Sequence, residues 1–235
     1  MKKNAVVTGA NSGIGYQIAR YLLDDGYTVY GISRNCDQAD FDQPGWHPIN
    51  CDLTDEKQLQ KVCEQILEDT GKKIDVLVLS AGRAWFGPHE THQPDQISGM
   101  VDLNFKAPLL LINRFLCAIR EQNGHIIGIG SVAGKSRSPQ GGVYAATKAG
   151  FHHFLDVLFD ETRKQGVKVT RIVPDLTQTP FYDDLNFEPE HNAEAYVNPE
   201  ELARAIDYVL NSPQAVITEL ELRPQKLQIR KKSSR

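Results

Sequence analysis

"AVVTGANSGIG", residues 5–15, decides how the rest of the chain is read. A short β-branched apolar run enters a turn carrying Gly9, Gly13 and Gly15, and "GIGYQIARYLLDDG" continues from it with helical periodicity. Glycines at a strand-to-helix turn permit unusual backbone angles. They also let a pyrophosphate approach the N–H groups and the positive end of the helix. A glycine pattern alone is a weak signal, but here it stands where the first strand meets the first helix, the position that dinucleotide binding requires.

Outward from that turn, apolar β-rich runs alternate with helical patterns. "AVVTG", "TVYGIS", "WHPIN", "IDVLVLSAG", "GHIIGIGS", "VKVTRIVP" and "AVITELEL" are seven strand candidates. Continuous runs such as "DVLVLS" suit strands buried on both faces of a parallel sheet. The intervening helices are "GIGYQIARYLLDDG", "DEKQLQKVCEQILEDTG", "FKAPLLLINRFLCAIREQNG", "VYAATKAGFHHFLDVLFDETRKQG" and "NPEELARAIDYVLNS", the last with an Asn cap, Pro in its first turn and Glu at its third position. The fold class is therefore α/β: a Rossmann-like, doubly wound, seven-stranded parallel sheet with helices on both faces, in a single domain over residues 1–235. The one long irregular segment, residues 175–197, has the length of a functional lid.

Composition narrows the function classes. The chain has 235 residues, 40% hydrophobic and 24% charged, with a net charge of -4, which fits a soluble globular domain and gives no reason to expect nucleic-acid binding. No apolar run approaches the ~18 residues of a membrane span, and the N-terminus enters a strand rather than a signal-peptide core, so a cytoplasmic protein without membrane attachment is expected. Cys36, Cys51, Cys63 and Cys117 lack metal-ligand or disulfide spacing, and His89 and His92 lack a third ligand, so no metal site is expected. The basic stretch at the C-terminus, Gln228 to Arg235, reads as a solvated tail.

"VYAATKAGF", residues 143–151, carries chemistry. On a helix Tyr144 and Lys148 lie on one face, one turn apart. A phenol titrates near ~10, and a fixed cation beside it favours the phenolate, which makes such a tyrosine a candidate acid or base. The spacing alone also fits an incidental surface pair.

T-G-x-x-x-G-x-G at Thr8 to Gly15, "CDLT" around Asp52, "SAG" at Ser80 to Gly82, Asn104, Ser131 and Tyr144-x-x-x-Lys148 follow one another in an order that resembles the single-domain short-chain dehydrogenase/reductase family along nearly the whole chain. The resemblance implies Tyr144 as the acid/base toward the substrate oxygen, and Lys148 as the group that lowers its pKa and binds the nicotinamide ribose. It implies Ser131 as a donor to the substrate oxygen, and Asn104 as the holder of a water that relays protons from Lys148. For a dinucleotide it implies Gly9, Asn11, Ser12, Gly13, Ile14 and Gly15 in the turn, Ser33, Arg34 and Asn35 after the second strand, Asp52 and Leu53 near adenine, Ser80, Ala81 and Gly82 as a wall of the ribose site, and Pro174 and Thr179 near the carboxamide, with Tyr144 and Lys148 shared. Two positions depart from the family pattern: Ser80 stands for its usual Asn, and Asp175 for its usual Gly after the proline.

Ser33 and Arg34 stand where an NAD-specific site would carry a carboxylate, and a guanidinium suits a 2′-phosphate, so NADP(H) is the expected cofactor. Trp85, Phe86, Phe181 and Tyr182 offer an apolar or aromatic substrate pocket or mere packing, while Arg83 and Arg137 offer a carboxylate site. The leading expectation is an NADPH-dependent oxidoreductase that reduces a ketone or aldehyde carbonyl. The alternatives are an NADP-dependent dehydrogenase of a small hydroxy acid, and a non-catalytic NADP-binding sensor. The resemblance also implies a homodimer or homotetramer through the helices Asn104 to Gln122 and Val143 to Gln165, with Phe151, Phe154 and Leu158 as apolar positions that would drive it, some of which must instead face the sheet.

Overall fold

Each of the seven apolar runs becomes a strand of one sheet in the computed structural model, which describes residues 2–39 and 41–232. The strands are β1 (Asn4–Thr8), β2 (Thr28–Ser33), β3 (Trp46–Asn50), β4 (Val76–Leu79), β5 (His125–Ile129), β6 (Lys168–Pro174) and β8 (Glu219–Leu222). They lie in the order β3-β2-β1-β4-β5-β6-β8, every neighbouring pair parallel. The helices are α1 (Gly13–Asp24), α2 (Glu56–Asp69), α3 (Pro94–Val101), α4 (Ala107–Glu121), α5 (Gly142–Thr162) and α6 (Pro199–Leu210).

Successive side chains of a strand face opposite ways, so a sheet covered on both sides needs apolar residues at every position. Val6, Leu77, Leu79 and Ile126 pack with α2, α4 and α5 on one face. Ala5, Val7, Val76, Val78 and Ile127 pack with α1 and α6 on the other. Capping sets where helices begin: Asp55 accepts hydrogen bonds from the amides of Lys57 at 2.9 Å and Gln58 at 3.1 Å, and Asn198 with Glu201 forms the capping box expected before α6. The sheet's outer strands are β3, which contains Pro48, and β8, where Glu219 and Glu221 both receive Lys135 at 2.6 Å.

Four features differ from the sequence expectation or decide what it left open. Helix α3 was absent from it, because "PDQISGMV" has too few apolar residues to show helical periodicity. The helix is set instead by a capping box between Gln93 and Gln96 and by Pro94 in its first turn. Between α3 and α4 the backbone winds as a π-helix over Asp102–Lys106, which places Asn104 in a widened turn rather than an ordinary helix. Of the three positions expected to divide between an association surface and the sheet, Phe151 and Leu158 are buried in the core, and Phe154 packs partly against it.

Finally, the basic C-terminus is not a solvated tail throughout. Ile229–Lys231 forms β9, antiparallel to β7 (Phe187–Pro189) in the long segment after β6. Arg230 pairs with Glu188, and Lys232 donates to the carbonyls of Tyr182 and Asp183. Three residues with two adjacent charges hid a strand whose partner lies about forty residues away. Ser233 to Arg235 of that stretch lie outside the described residues.

Candidate functional site

The chain leaves β1 to β2 and β3 on one side of the sheet and to β4, β5 and β6 on the other, so a crevice opens beyond the ends of β1 and β4. Thr8 closes its floor: its Oγ1 accepts the amides of Ser80 at 3.0 Å and Ala81 at 3.1 Å. The glycine turn lies over it. Gly9 (φ +67°) and Gly13 (φ +56°) occupy the left-handed region, and a Cβ on Gly15 would stand 2.3 Å from the carbonyl oxygen of Gly9. A Cβ on Gly9 would lie 3.0 Å from Ala81, and one on Gly13 would lie 3.1 Å from Thr179. The turn thus contacts both the "SAG" wall and the start of the lid, with Asn11 and Ile14 half-buried and Ser12 exposed at the rim.

At the end of β2, Ser33 is buried with its hydroxyl oxygen unpartnered among the described residues, while Arg34 and Asn35 are exposed. Asp52 accepts the amide of Thr54 at 2.9 Å and its hydroxyl at 2.7 Å. Those bonds, then the charges of Arg34 and Arg83, hold its carboxyl below the usual range. Leu53 is buried beside it. Arg83 therefore belongs to this end of the crevice: its Nε donates to the Gly99 carbonyl at 3.0 Å and its guanidinium lies 4.9 Å from the centre of the Trp85 ring. Arg137 is exposed.

At the other end, α5 and the loop after β5 bring Ser131, Tyr144 and Lys148 together. Ser131 stands close enough to the Tyr144 hydroxyl to favour its ionised form, and Lys148 Nζ stands 5.9 Å from the centre of the tyrosine ring. Burial raises the Tyr144 phenol above its ordinary value, opposed by the nearby Ser131 hydroxyl. The Lys148 ammonium, buried and donating to the Ile129 carbonyl at 2.9 Å, is pushed down to about 8. In the chain alone, burial and the Ser131 hydroxyl set the Tyr144 phenol, and the Lys148 ammonium is turned to the Ile129 carbonyl.

Asn104 is engaged with protein. Its Oδ1 accepts the Arg83 amide at 2.9 Å, and its Nδ2 donates to the Arg83 carbonyl at 2.8 Å and to Thr147 Oγ1 at 3.2 Å. Beside it a cavity of about 10 Å³, the size of one water molecule, is bordered by Thr8, Asn104 and Lys148.

Aromatic rings enclose Tyr144: Phe86 at 5.8 Å and Phe181 at 5.9 Å between centroids, with Phe187 of β7 5.0 Å from Phe86 and 5.8 Å from Tyr182. Trp85 is instead occupied by Arg83. Asp175 turns its carboxylate to the Leu176 amide at 2.9 Å, 4.0 Å from Arg223. Pro174 closes β6, and Thr179 caps the short turn Pro180–Tyr182. Phe187 and the β9 strand behind it escaped sequence reading, as did His152, whose place behind Ser131 is signalled by nothing but its spacing of eight residues from Tyr144.

Residues 3–189 match the sequence pattern described as short chain dehydrogenase. The chain belongs to that family. Uncharacterized oxidoreductases of Staphylococcus epidermidis (31% identical, covering 95% of this chain and 97% of theirs) and Staphylococcus aureus (32%, 94% and 97%) are similar to this short-chain dehydrogenase throughout. Among solved structures it is similar to an alcohol dehydrogenase from the archaeon Thermococcus sibiricus complexed with 5-hydroxy-NADP, with a TM-score of 0.87, 26% identity and 97% and 98% of the two chains covered. A metagenomic short-chain oxidoreductase in complex with NADP gives a TM-score of 0.79, 28% identity and coverage of 94% and 96%. The protein is thus an oxidoreductase of the short-chain dehydrogenase family, and none of its helices among the described residues is long and apolar enough to cross a membrane.

Proposed function

We propose that this short-chain dehydrogenase is an NADPH-dependent reductase of ketones or aldehydes with an apolar or aromatic substituent. The observation that carries the reading is the convergence of Ser131, Tyr144 and Lys148 in one buried site, with aromatic rings around it. The residues fit a dinucleotide: the glycine turn leaves a cradle that side chains would fill, and the buried Ser33 hydroxyl lacks a partner among the described residues at the end of β2. Gly9 to Gly15, Ser80 to Gly82 and Thr179 would hold its phosphates and nicotinamide, and Asp52 its adenine. Arg34 would pair with the 2′-phosphate. Relatives of known structure carry NADP or its 5-hydroxy derivative, which supports the same choice here. When bound, the nicotinamide supplies the hydride.

The chain's own residues handle the proton and the oxygen. Ser131 donates to the substrate oxygen, and Tyr144 passes its phenolic proton to that oxygen as it gains charge. Lys148 stabilises the phenolate left behind, and the water-sized cavity against Asn104 gives the proton a route back. Phe86, Phe181 and Phe187 exclude water and favour an apolar substituent. A hydroxy-acid dehydrogenase is less well served, because Arg83 is committed to Gly99 and Trp85 and Arg137 lies exposed. A silent sensor would have no use for Asn104, Ser131, Tyr144 and Lys148 together.

The deciding measurement is NADPH consumption with aryl ketones, diketones, aldehydes and keto acids. Turnover confined to keto acids, or none with any carbonyl, would refute the reading. A cytoplasmic location accompanies this use of NADPH. Assembly as a homodimer or homotetramer through α4 and α5 belongs to the same proposal, with exposed Val157 in place of Phe151 and Leu158; a monomeric active protein in light scattering would contradict it.

A further inference from the structure

Tyr144, Lys148 and His152 succeed one another at four-residue steps along α5, so all three lie on one face of the helix. His152 is 4% exposed, and its Nε2 accepts the backbone amide of Ser131 at 3.2 Å. A backbone N–H only donates, so this bond requires a ring with its proton on Nδ1 and a lone pair on Nε2.

The loop is shaped around that ring. A Cβ on Gly130 would lie 2.1 Å from Nε2, and one on Gly134 would lie 2.7 Å from Cε1. Glycines on both sides of Ser131 thus leave the niche that the imidazole fills. The histidine's backbone is tied down as well: its carbonyl accepts Arg171 Nη1 at 3.1 Å, and Arg171 is held by Asp156 at 2.9 Å and by Glu219. Burial first, then the positive charges of Arg171 and Lys148, with Lys135 in the same sense and Glu219 opposed, push the imidazole down to about 4, so the ring is a neutral acceptor at ordinary pH. On its other side Ser131 accepts the Ala133 amide at 3.2 Å and meets the Tyr144 hydroxyl.

We propose that His152 is a positioning residue for the proposed reduction: by accepting the Ser131 amide from within its glycine niche, it fixes where the Ser131 hydroxyl stands against Tyr144. The proposal rests on the role given to Ser131 above. His152 touches neither substrate nor cofactor, and its effect passes entirely through the loop Gly130 to Gly134.

A double-mutant cycle with single-turnover and steady-state kinetics tests it. His152→Leu keeps volume and removes the acceptor. It should lower kcat roughly tenfold or more while leaving the KM for NADPH within about threefold. His152→Gln, which returns an acceptor near the Nε2 position, should recover most of the loss. In a Ser131→Ala background, His152→Leu should cost little further. An unchanged kcat in His152→Leu, or the full loss again in the Ser131→Ala background, would overturn the proposal while leaving Ser131 in place. A fully active Ser131→Ala would overturn both. Should the leucine variant not fold, His152→Asn, whose amide stops short of the Ser131 N–H, takes its place in the same cycle.

Discussion

Lys148 donates through Nζ to the carbonyl oxygen of Ile129 across 2.9 Å, joining the middle of α5 to the end of β5. The ammonium is thereby fixed beneath Tyr144 before any ligand arrives. Lys148→Met keeps the length of the chain and removes the charge. It is expected to raise the pH at which the acid/base group titrates in kcat and to weaken NADPH binding, both by roughly tenfold equivalents or more. A variant altered in neither would remove Lys148 from the site.

Tyr144→Phe retains the ring against Phe86 and Phe181 and deletes the hydroxyl. Folding and NADPH binding should survive, and kcat should fall by roughly two to four powers of ten. Stopped-flow hydride transfer and a thermal melt separate these effects.

Arg34 is exposed beside the Ser33 hydroxyl, which has no partner among the described residues. NADPH should be preferred over NADH, since one charge-assisted contact contributes about 1.5–3 kcal/mol, or roughly one to two powers of ten. Ser33→Asp with Arg34→Gln should reverse the preference, because a carboxylate accepts ribose hydroxyls and repels a phosphate. The comparison is kcat/KM for both cofactors at fixed ionic strength.

Ending the chain after Lys226 removes β9 and its pairing with β7. Phe187 then loses the strand that holds it over Phe86. The KM for the carbonyl substrate should rise by roughly tenfold while the Kd for NADPH moves little, because the glycine turn and α1 are untouched. An equal change in both would show that the tail supports the fold rather than the lid.

Two buried histidines give stability a defined acid limb. Burial lowers His125 to about 3, and burial with neighbouring cations lowers His152 to about 4, whereas both titrate at 6.5 when unfolded. Between the folded and unfolded values the unfolded chain binds more protons, so stability falls as pH drops from 6.5 toward 4. The slope should approach that of two protons, about 2.7 kcal/mol per pH unit at most. His125→Gln, which keeps a partner for Thr170, should roughly halve it in urea titrations between pH 6.5 and 4.5.

The sheet was legible because its central strands β1, β4 and β5 are nearly continuous apolar runs, and burial on both faces demands such runs. The glycine turn was legible because its chemistry is local. What escaped depends on partners far off in the sequence. The β7–β9 pair is polar and short, α3 is set by its cap rather than by periodicity, and His152 gains its meaning only when α5 is laid against the loop after β5. Which of Phe151, Phe154 and Leu158 face the sheet stayed open for a related reason: a helix with apolar residues around much of its circumference does not announce which face meets the sheet.

The two outer strands bear on how this protein keeps company with itself. A bare strand edge is a template onto which another chain can add, and ultimately a route to aggregation. Here β3 interrupts its donors with Pro48, and β8 sets Glu219 and Glu221 under Lys135, with Arg171 and Arg223 on either side. Growth of the sheet from copy to copy is thereby discouraged at both ends. Helix faces are left as the surfaces through which copies can meet, and the protein should stay dispersed at concentrations where an unguarded sheet would precipitate.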